Sequence, residues 1–183
     1  MLALSKRLEL VTNILGFLGI TGVILLAIIM EYHMDELPCP LCLLQRVGFS
    51  FIALGFLMNC CFGLRPRYYG IVLVSALYTA AVALRQVLLH IVPGTGAYGD
   101  PILGMHLYTW SFLLAMITAA AVAMLLVFSS DNKSQPTSVR PAVRIGLCSL
   151  LILVSLANGI GVFFECGLHQ CPENPVTMEL ALV

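Results

Sequence analysis

Charged side chains are scarce in this chain. Asp, Glu, Lys and Arg make up 10% of its 183 residues, against 60% hydrophobic residues and a mean hydropathy of +1.00. A soluble domain of this size needs a polar shell, and this composition cannot furnish one. Internal repeats and low-complexity tracts are also missing, as is a small-x-small cleavage pattern after the first apolar run. That run exceeds the roughly 7–15 apolar residues of a secretory leader, so it reads as a retained anchor. The formal net charge is zero, so there is no basic footprint and no nucleic-acid partner is expected.

What is abundant is apolar sequence in bilayer-sized lengths. Five runs, near 10–31, 43–63, 70–92, 104–128 and 145–164, each match the ~20 residues that a hydrocarbon core about 30 Å thick requires. The clusters "HMDELPCP", "GLRPRYY", "PGTGAYGDP" and "SSDNKSQPTSVRPAVR" separate them, and only the last reads as a polar linker. The expected fold is an all-α integral membrane protein: a four-helix transmembrane bundle plus a fifth transmembrane helix, embedded in a lipid bilayer. Residues 1–128 would form the bundle, 129–144 a cytoplasmic linker, and 145–183 the fifth helix with a cysteine-containing tail.

The charges are unevenly distributed. Lys6, Arg7, Arg65, Arg67, Lys133, Arg140 and Arg144 fall on the N-terminus and on every second connection, which the positive-inside rule makes cytoplasmic. Glu31, Asp35, Glu36, Asp100, Glu165, Glu173 and Glu179 fall on the other side, and His33, His90, His106 and His169 lie at or beyond that outer boundary. With an inner N-terminus and five spans, the C-terminal tail is outside.

This topology sorts the seven cysteines. Cys39 and Cys42 lie at the outer end of the second span, and Cys166 and Cys171 just past the outer end of the fifth. Cys60, Cys61 and Cys148 lie near inner ends and read as small apolar packers. Disulfides persist outside and are rare in the reduced cytosol, so the four outer cysteines form two close pairs in an oxidising compartment. They could be structural staples, thiol-exchange pairs, or a zinc or copper(I) site completed by histidines. Cys166 and Cys171 would close only a short loop, which gives a staple little entropy to act on. The Cys-x-x-Cys spacing of "CPLC" favours an exchangeable thiol.

Arg46 sharpens that reading. With a helix starting near Cys42, it lies one turn deeper on the same face. Helix N-terminus and guanidinium would together stabilise a thiolate at Cys42. A cation that deep in a bilayer marks function by default, with snorkelling to the headgroups as the alternative. Arg85 is a similar case within the third span, with Gln86 beside it and His90 at the outer end. A thiolate beside a cation at the membrane face suits electron transfer to a lipid-soluble acceptor such as a quinone. Arg46, Arg85, His90 and His106 are the candidate quinone-binding residues. "HLYTW" (His106–Trp110) also reads as an interfacial aromatic belt.

"CPLCLLQR" after the first span, "GMHLYTWSF" opening the fourth, and the spacing of spans one to four resemble the disulfide bond formation protein B (DsbB) family, over about residues 10–128. The resemblance implies a thiol oxidase of the bacterial inner membrane. Such a protein reoxidises a soluble periplasmic thioredoxin-like partner, DsbA, and passes the electrons to ubiquinone or menaquinone. It implies that Cys42 faces the quinone, that Cys39 is its exchange partner and that Arg46 is the quinone-side cation. The best-known members carry a second cysteine pair between spans three and four. Here that connection has no cysteine, and Cys166 and Cys171 after the added fifth span are expected to take its place as the other catalytic pair. A membrane carrier of copper or zinc built on the outer Cys and His residues is the alternative function.

Overall fold

The computed structural model describes residues 5–34, 39–92, 94, 101–128, 138–167 and 171. The expected residues His169 and Lys133, most of the linker and the tail beyond Cys171 lie outside them. Five helices carry the fold: α1 (Lys6–Met34), α2 (Pro40–Phe62), α3 (Pro66–Leu89), α4 (Leu107–Phe128) and α5 (Pro141–Cys166). All five are long and apolar enough to cross a membrane. Their 22 to 29 residues give lengths of about 33–43 Å at 1.5 Å per residue. Among the described residues there is no strand, only an isolated bridge between Ile102 and Met105.

Four helices begin earlier than hydropathy suggests, α1 at Lys6 and three others at prolines. Pro40, Pro66 and Pro141 each stand at the first helical position of α2, α3 and α5. There a missing N–H costs nothing and the fixed φ is already helical. Polar first turns are thus recruited into the helices. The fourth helix instead begins later, because residues 102–105 close a tight turn in which Leu103 and Gly104 have positive φ. Trp110 Nε1 donates to the Ile102 carbonyl at 3.0 Å and pins that turn to α4.

The central helix is α2, which packs on α1, α3 and α5, while α4 packs on α3. Phe17 and Ile24 of α1, Ile52 and Phe56 of α2, Val72 of α3 and Val122 of α4 meet in one core. Small residues let the central pair approach closely, as helix association in lipid requires. A Cβ on Gly55 would sit 2.6 Å from Val72 Cγ2 and 3.1 Å from the Tyr68 carbonyl, and one on Gly48 would overlap Thr79 Oγ1. The outward faces carry exposed Leu15, Val74, Ile117 and Ile152, the side chains that lipid accepts.

Contacts across helices define two ends. At one, Asn59 Nδ2 donates to Asn13 Oδ1 (2.9 Å), the Tyr69 hydroxyl donates to Glu9 Oε1 (3.0 Å), and the Val139 N–H reaches the Cys60 carbonyl (3.0 Å). This buried polar network ties together the starts of α1, α3 and α5 and the end of α2. Lys6, Arg65, Arg67, Arg140 and Arg144 cluster there. The opposite end holds Cys39, Cys42 and Cys166.

Candidate active site

The local sequence dictates how the first cysteine pair is built. Cys39 precedes a proline, which disfavours helix at that residue, and it takes an extended conformation (φ −70°, ψ 159°) as the N-cap of α2. Its Sγ accepts the backbone N–H of Cys42 at 3.3 Å, the bond that a capping serine hydroxyl would make. The two-residue gap of the motif is therefore the gap from N-cap to N3. It sets both sulfurs at the positive end of the helix, 2.8 Å apart with no bond between them. Closing a disulfide from there requires a shift of about 1 Å or less. Cys39 is 3% exposed. Its hydrogen bond with Cys42, and then burial, push its thiol above the ordinary cysteine range.

Gln86 of α3 covers the pair. Its Nε2 donates to Cys39 Sγ at 3.1 Å and approaches Cys42 Sγ at 3.4 Å. Gln45 Nε2 donates to Gln86 Oε1 at 2.6 Å, which fixes that oxygen as the acceptor and turns the NH₂ group toward the sulfurs. Gln86 is fully buried. His90 continues the same face: its Nδ1 lies 2.8 Å from the Gln86 carbonyl, and its ring stacks on Tyr108, which also stacks on His106.

Arg46 does not snorkel. Its Nη1 donates to Glu31 Oε2 at 2.7 Å and approaches Asn158 Oδ1 at 3.4 Å, joining α2 to α1 and α5. The paired side chains are 11% and 8% exposed. Glu165, the last residue but one of α5, is buried at 1% exposure, and neither of its carboxylate oxygens has a hydrogen-bond partner among the described residues. Cys166, the last residue of α5, forms a disulfide with Cys171. Cys166 is buried and Cys171 half-buried. The last turn of α5 carries Cys166 into the bundle.

The structure thus gathers Cys39, Cys42 and Arg46, with His90, Tyr108 and His106 forming a ring stack at the same end. It does not bring Arg85 to them. Arg85 is exposed in a shallow outward groove with Ala81, Leu84, Leu88 and Leu89. Gln86 takes the place expected of Arg85, and helical phase is the reason. The buried stripe of α3 runs through Val72, Ala76, Thr79 and Ala83, and the next step lands on residue 86. Trp110 is committed to the turn before α4. Gln86, Glu31, Asn158 and Glu165 had no motif to announce them, although polar groups within apolar runs are themselves a signal; Gln45 stood inside "CPLCLLQR" without a role assigned to it. At the other end Cys61 and Cys148 approach to 4.0 Å between α2 and α5, and Cys60 is fully buried. Among the described residues, no three His, Cys, Asp or Glu side chains converge as a metal site would require.

Comparison with known proteins follows the same geometry. The family model described as disulfide bond formation protein DsbB matches residues 9–100, half of the chain, from α1 through α3, with Cys39, Cys42, Arg46 and Gln86 inside it. Disulfide bond formation protein B of Xanthomonas euvesicatoria pv. vesicatoria (strain 85-10) is 34% identical over 85 residues, covering 44% of this chain and 49% of that protein. The protein of the same name from Xanthomonas campestris pv. campestris (strain 8004) is 35% identical over 85 residues, with the same coverage. That from Xylella fastidiosa (strain Temecula1) is 30% identical over 83 residues, covering 43% and 48%. The chain spans about half the length of these curated relatives. No solved structure matches it.

Proposed function

The chain belongs to the family of disulfide bond formation protein DsbB, and from that premise we propose that it is a membrane thiol:quinone oxidoreductase. It reoxidises a soluble thioredoxin-like dithiol protein, DsbA-like in kind, and so supports disulfide formation. The observation that carries this reading is the reduced Cys39–Cys42 pair, capping α2 under the Gln86 amide and one turn from the Arg46–Glu31 pair. A bundle held together by apolar packing has no need of such an arrangement for stability.

Two exchanges bring electrons in. A thiolate of the soluble partner attacks one sulfur of Cys166–Cys171, forming a mixed disulfide and releasing the other sulfur as a thiolate. The partner's second thiol then resolves the mixed disulfide, leaving the partner oxidised and Cys166 and Cys171 reduced. The greater exposure of Cys171 supports it over the buried Cys166 as the attacked sulfur. The reduced pair passes its two electrons to an oxidised Cys39–Cys42 disulfide by the same chemistry. Gln86 then holds both sulfurs of the returned dithiol in register.

The way out requires an acceptor of two electrons and two protons that is soluble in lipid, and a quinone, ubiquinone or menaquinone, supplies that chemistry when bound. The donor set fits a quinone headgroup. Arg46 commits only Nη1 to the partners described above, out of a guanidinium with five N–H donors. The His90–Tyr108–His106 ring stack offers a flat surface at the same end. Arg46, His90 and His106 would hold the headgroup. Arg85, facing outward, would touch only a quinone on its way in from the lipid.

Orientation follows from charge. The end with Lys6, Arg65, Arg67, Arg140 and Arg144 faces the cytoplasm and the cysteine pairs face the periplasm of a bacterial inner membrane. The test is thiol trapping in native membranes with the quinone pool first oxidised, then reduced. Cys39–Cys42 oxidation that follows the state of the quinone pool supports the reading. Thiols protected only by added copper or zinc would support a metal carrier instead, and indifference to both would leave a structural protein.

A further inference from the structure

Glu165 is a buried acid in the wrong place for a structural role. Each of its carboxylate oxygens is shielded from solvent and lacks a donor among the described residues, whereas buried polar groups are satisfied almost without exception. Asn158, two turns before Glu165 on the same face of α5, meets Arg46 one turn from Cys42, and among the described residues the ionisable groups that bear on Glu165 are Glu31 of α1, and Arg46 and Cys42 of α2. These are the two helices on which α5 packs. Arg46 turns its Nη1 to Glu31 and Asn158, and Glu31 is an acceptor like Glu165 itself. Of the three neighbours, Cys42 is the one with a proton to give away in the course of thiol chemistry.

We propose that Glu165 is the proton carrier of the Cys39–Cys42 pair, taking the proton that leaves the Cys42 thiol. This rests on the thiol-oxidase reading above. The transfer balances: the Cys42 S–H bond breaks, an O–H bond forms on the Glu165 carboxylate, and a thiolate beside a carboxylic acid replaces a thiol beside a carboxylate. No net charge enters the bundle, and the new O–H gives the orphaned carboxyl group the hydrogen it lacks. Oxidation of the pair to a disulfide then releases two electrons and two protons. A bound quinone would supply the acceptor for both electrons and both protons, and Glu165 returns to the carboxylate as it hands its proton on. Neither carboxylate oxygen has a hydrogen-bond partner among the described residues, so transfer runs through water, a route that general acid–base catalysis tolerates. Because α5 lies outside the 9–100 segment that matches the family, this carrier belongs to the added helix.

The experiment uses the purified, fully reduced, quinone-stripped chain and measures the pH profile of Cys42 alkylation. Two coupled groups titrate in two steps, so the wild type should show a two-step profile and Glu165→Gln a single step. Glu165→Asp, which keeps an exchangeable proton, should restore the second step. In an infrared difference spectrum of reduced minus oxidised protein, a carboxylic C=O band should appear in the wild type and vanish in Glu165→Gln. With quinone restored, Glu165→Gln should slow oxidation of the pair about 100-fold, within the usual range for loss of a general acid or base. A one-step profile in the wild type, or an unchanged carboxyl band in Glu165→Gln, overturns the proposal. The wild-type profile decides even if the Gln variant fails to insert. Failure of the thiol-oxidase reading looks different, because the Cys39–Cys42 pair would then ignore the quinone pool in every variant.

Discussion

At the scale of single residues, the amide of Gln86 and the guanidinium of Arg46 carry the argument, one over the sulfurs and one beside them. Gln86→Leu removes the donor to both sulfurs while keeping the volume. A hydrogen bond to a group that becomes charged contributes about 1.5–3 kcal/mol, so electron transfer out of the pair should fall about 10- to 100-fold. Arg85→Ala, one residue away on the outward face, should leave the same rate within about twofold. Stopped-flow oxidation of the reduced pair by quinone checks both. Arg46 has a second cost. Arg46→Ala leaves Glu31 without its 2.7 Å partner, and breaking one side of a buried pair costs about 3–5 kcal/mol. Thermal unfolding in detergent should therefore show Arg46→Ala to be less stable than Arg46→Ala/Glu31→Gln. The reverse order would mean that the pair contributes nothing. Cys39, Cys42 and Arg46 were legible in the sequence because their relation is local: N-cap, N3 and one turn further on a single helix. Gln86, Asn158 and Glu165 were not, because their relation to the sulfurs exists only once three helices have packed.

At the scale of elements, the helices are set by hydropathy, but their ends are set by caps. Apolar length located all five spans, and the proline at N1 moved three of the starts by three or four residues, a shift that hydropathy averages away. Packing phase was legible in the small residues. Gly48, Gly55, Ala76 and Ala83 mark the α2–α3 seam, and extending its period would have selected residue 86 over 85. The seam also predicts a stability difference. Gly55→Ala brings a Cβ within 2.6 Å of Val72 and 3.1 Å of the Tyr68 carbonyl, whereas Gly19 has nothing within 4 Å. Overpacking of this kind costs about 1–3 kcal/mol. Thermal unfolding in detergent should show a clear loss for Gly55→Ala and no loss for Gly19→Ala. Equal effects would mean that the helices are not seated as described.

At the scale of the whole molecule, the fifth helix is what completes the proposed relay. It brings Asn158 to Arg46, buries Glu165 near the first pair and carries the second pair at its end. Composition could place that pair on the same side as the first, but only the fold shows Cys166 drawn inside and Cys171 left half-open. A membrane-impermeant thiol reagent applied to reduced, intact cells should therefore label Cys171 well ahead of Cys166. Labelling of either only after permeabilisation would invert the proposed orientation. The central claim is that two electrons from a protein dithiol leave through Cys42 to a quinone. Its most direct test mixes the purified chain with a reduced thioredoxin-like partner and a quinone, and follows partner thiols and quinone absorbance together. The account predicts one quinone reduced for each partner dithiol oxidised, and no quinone reduction by Cys42→Ser. Partner oxidation without loss of quinone, or unchanged turnover in Cys42→Ser, would contradict it.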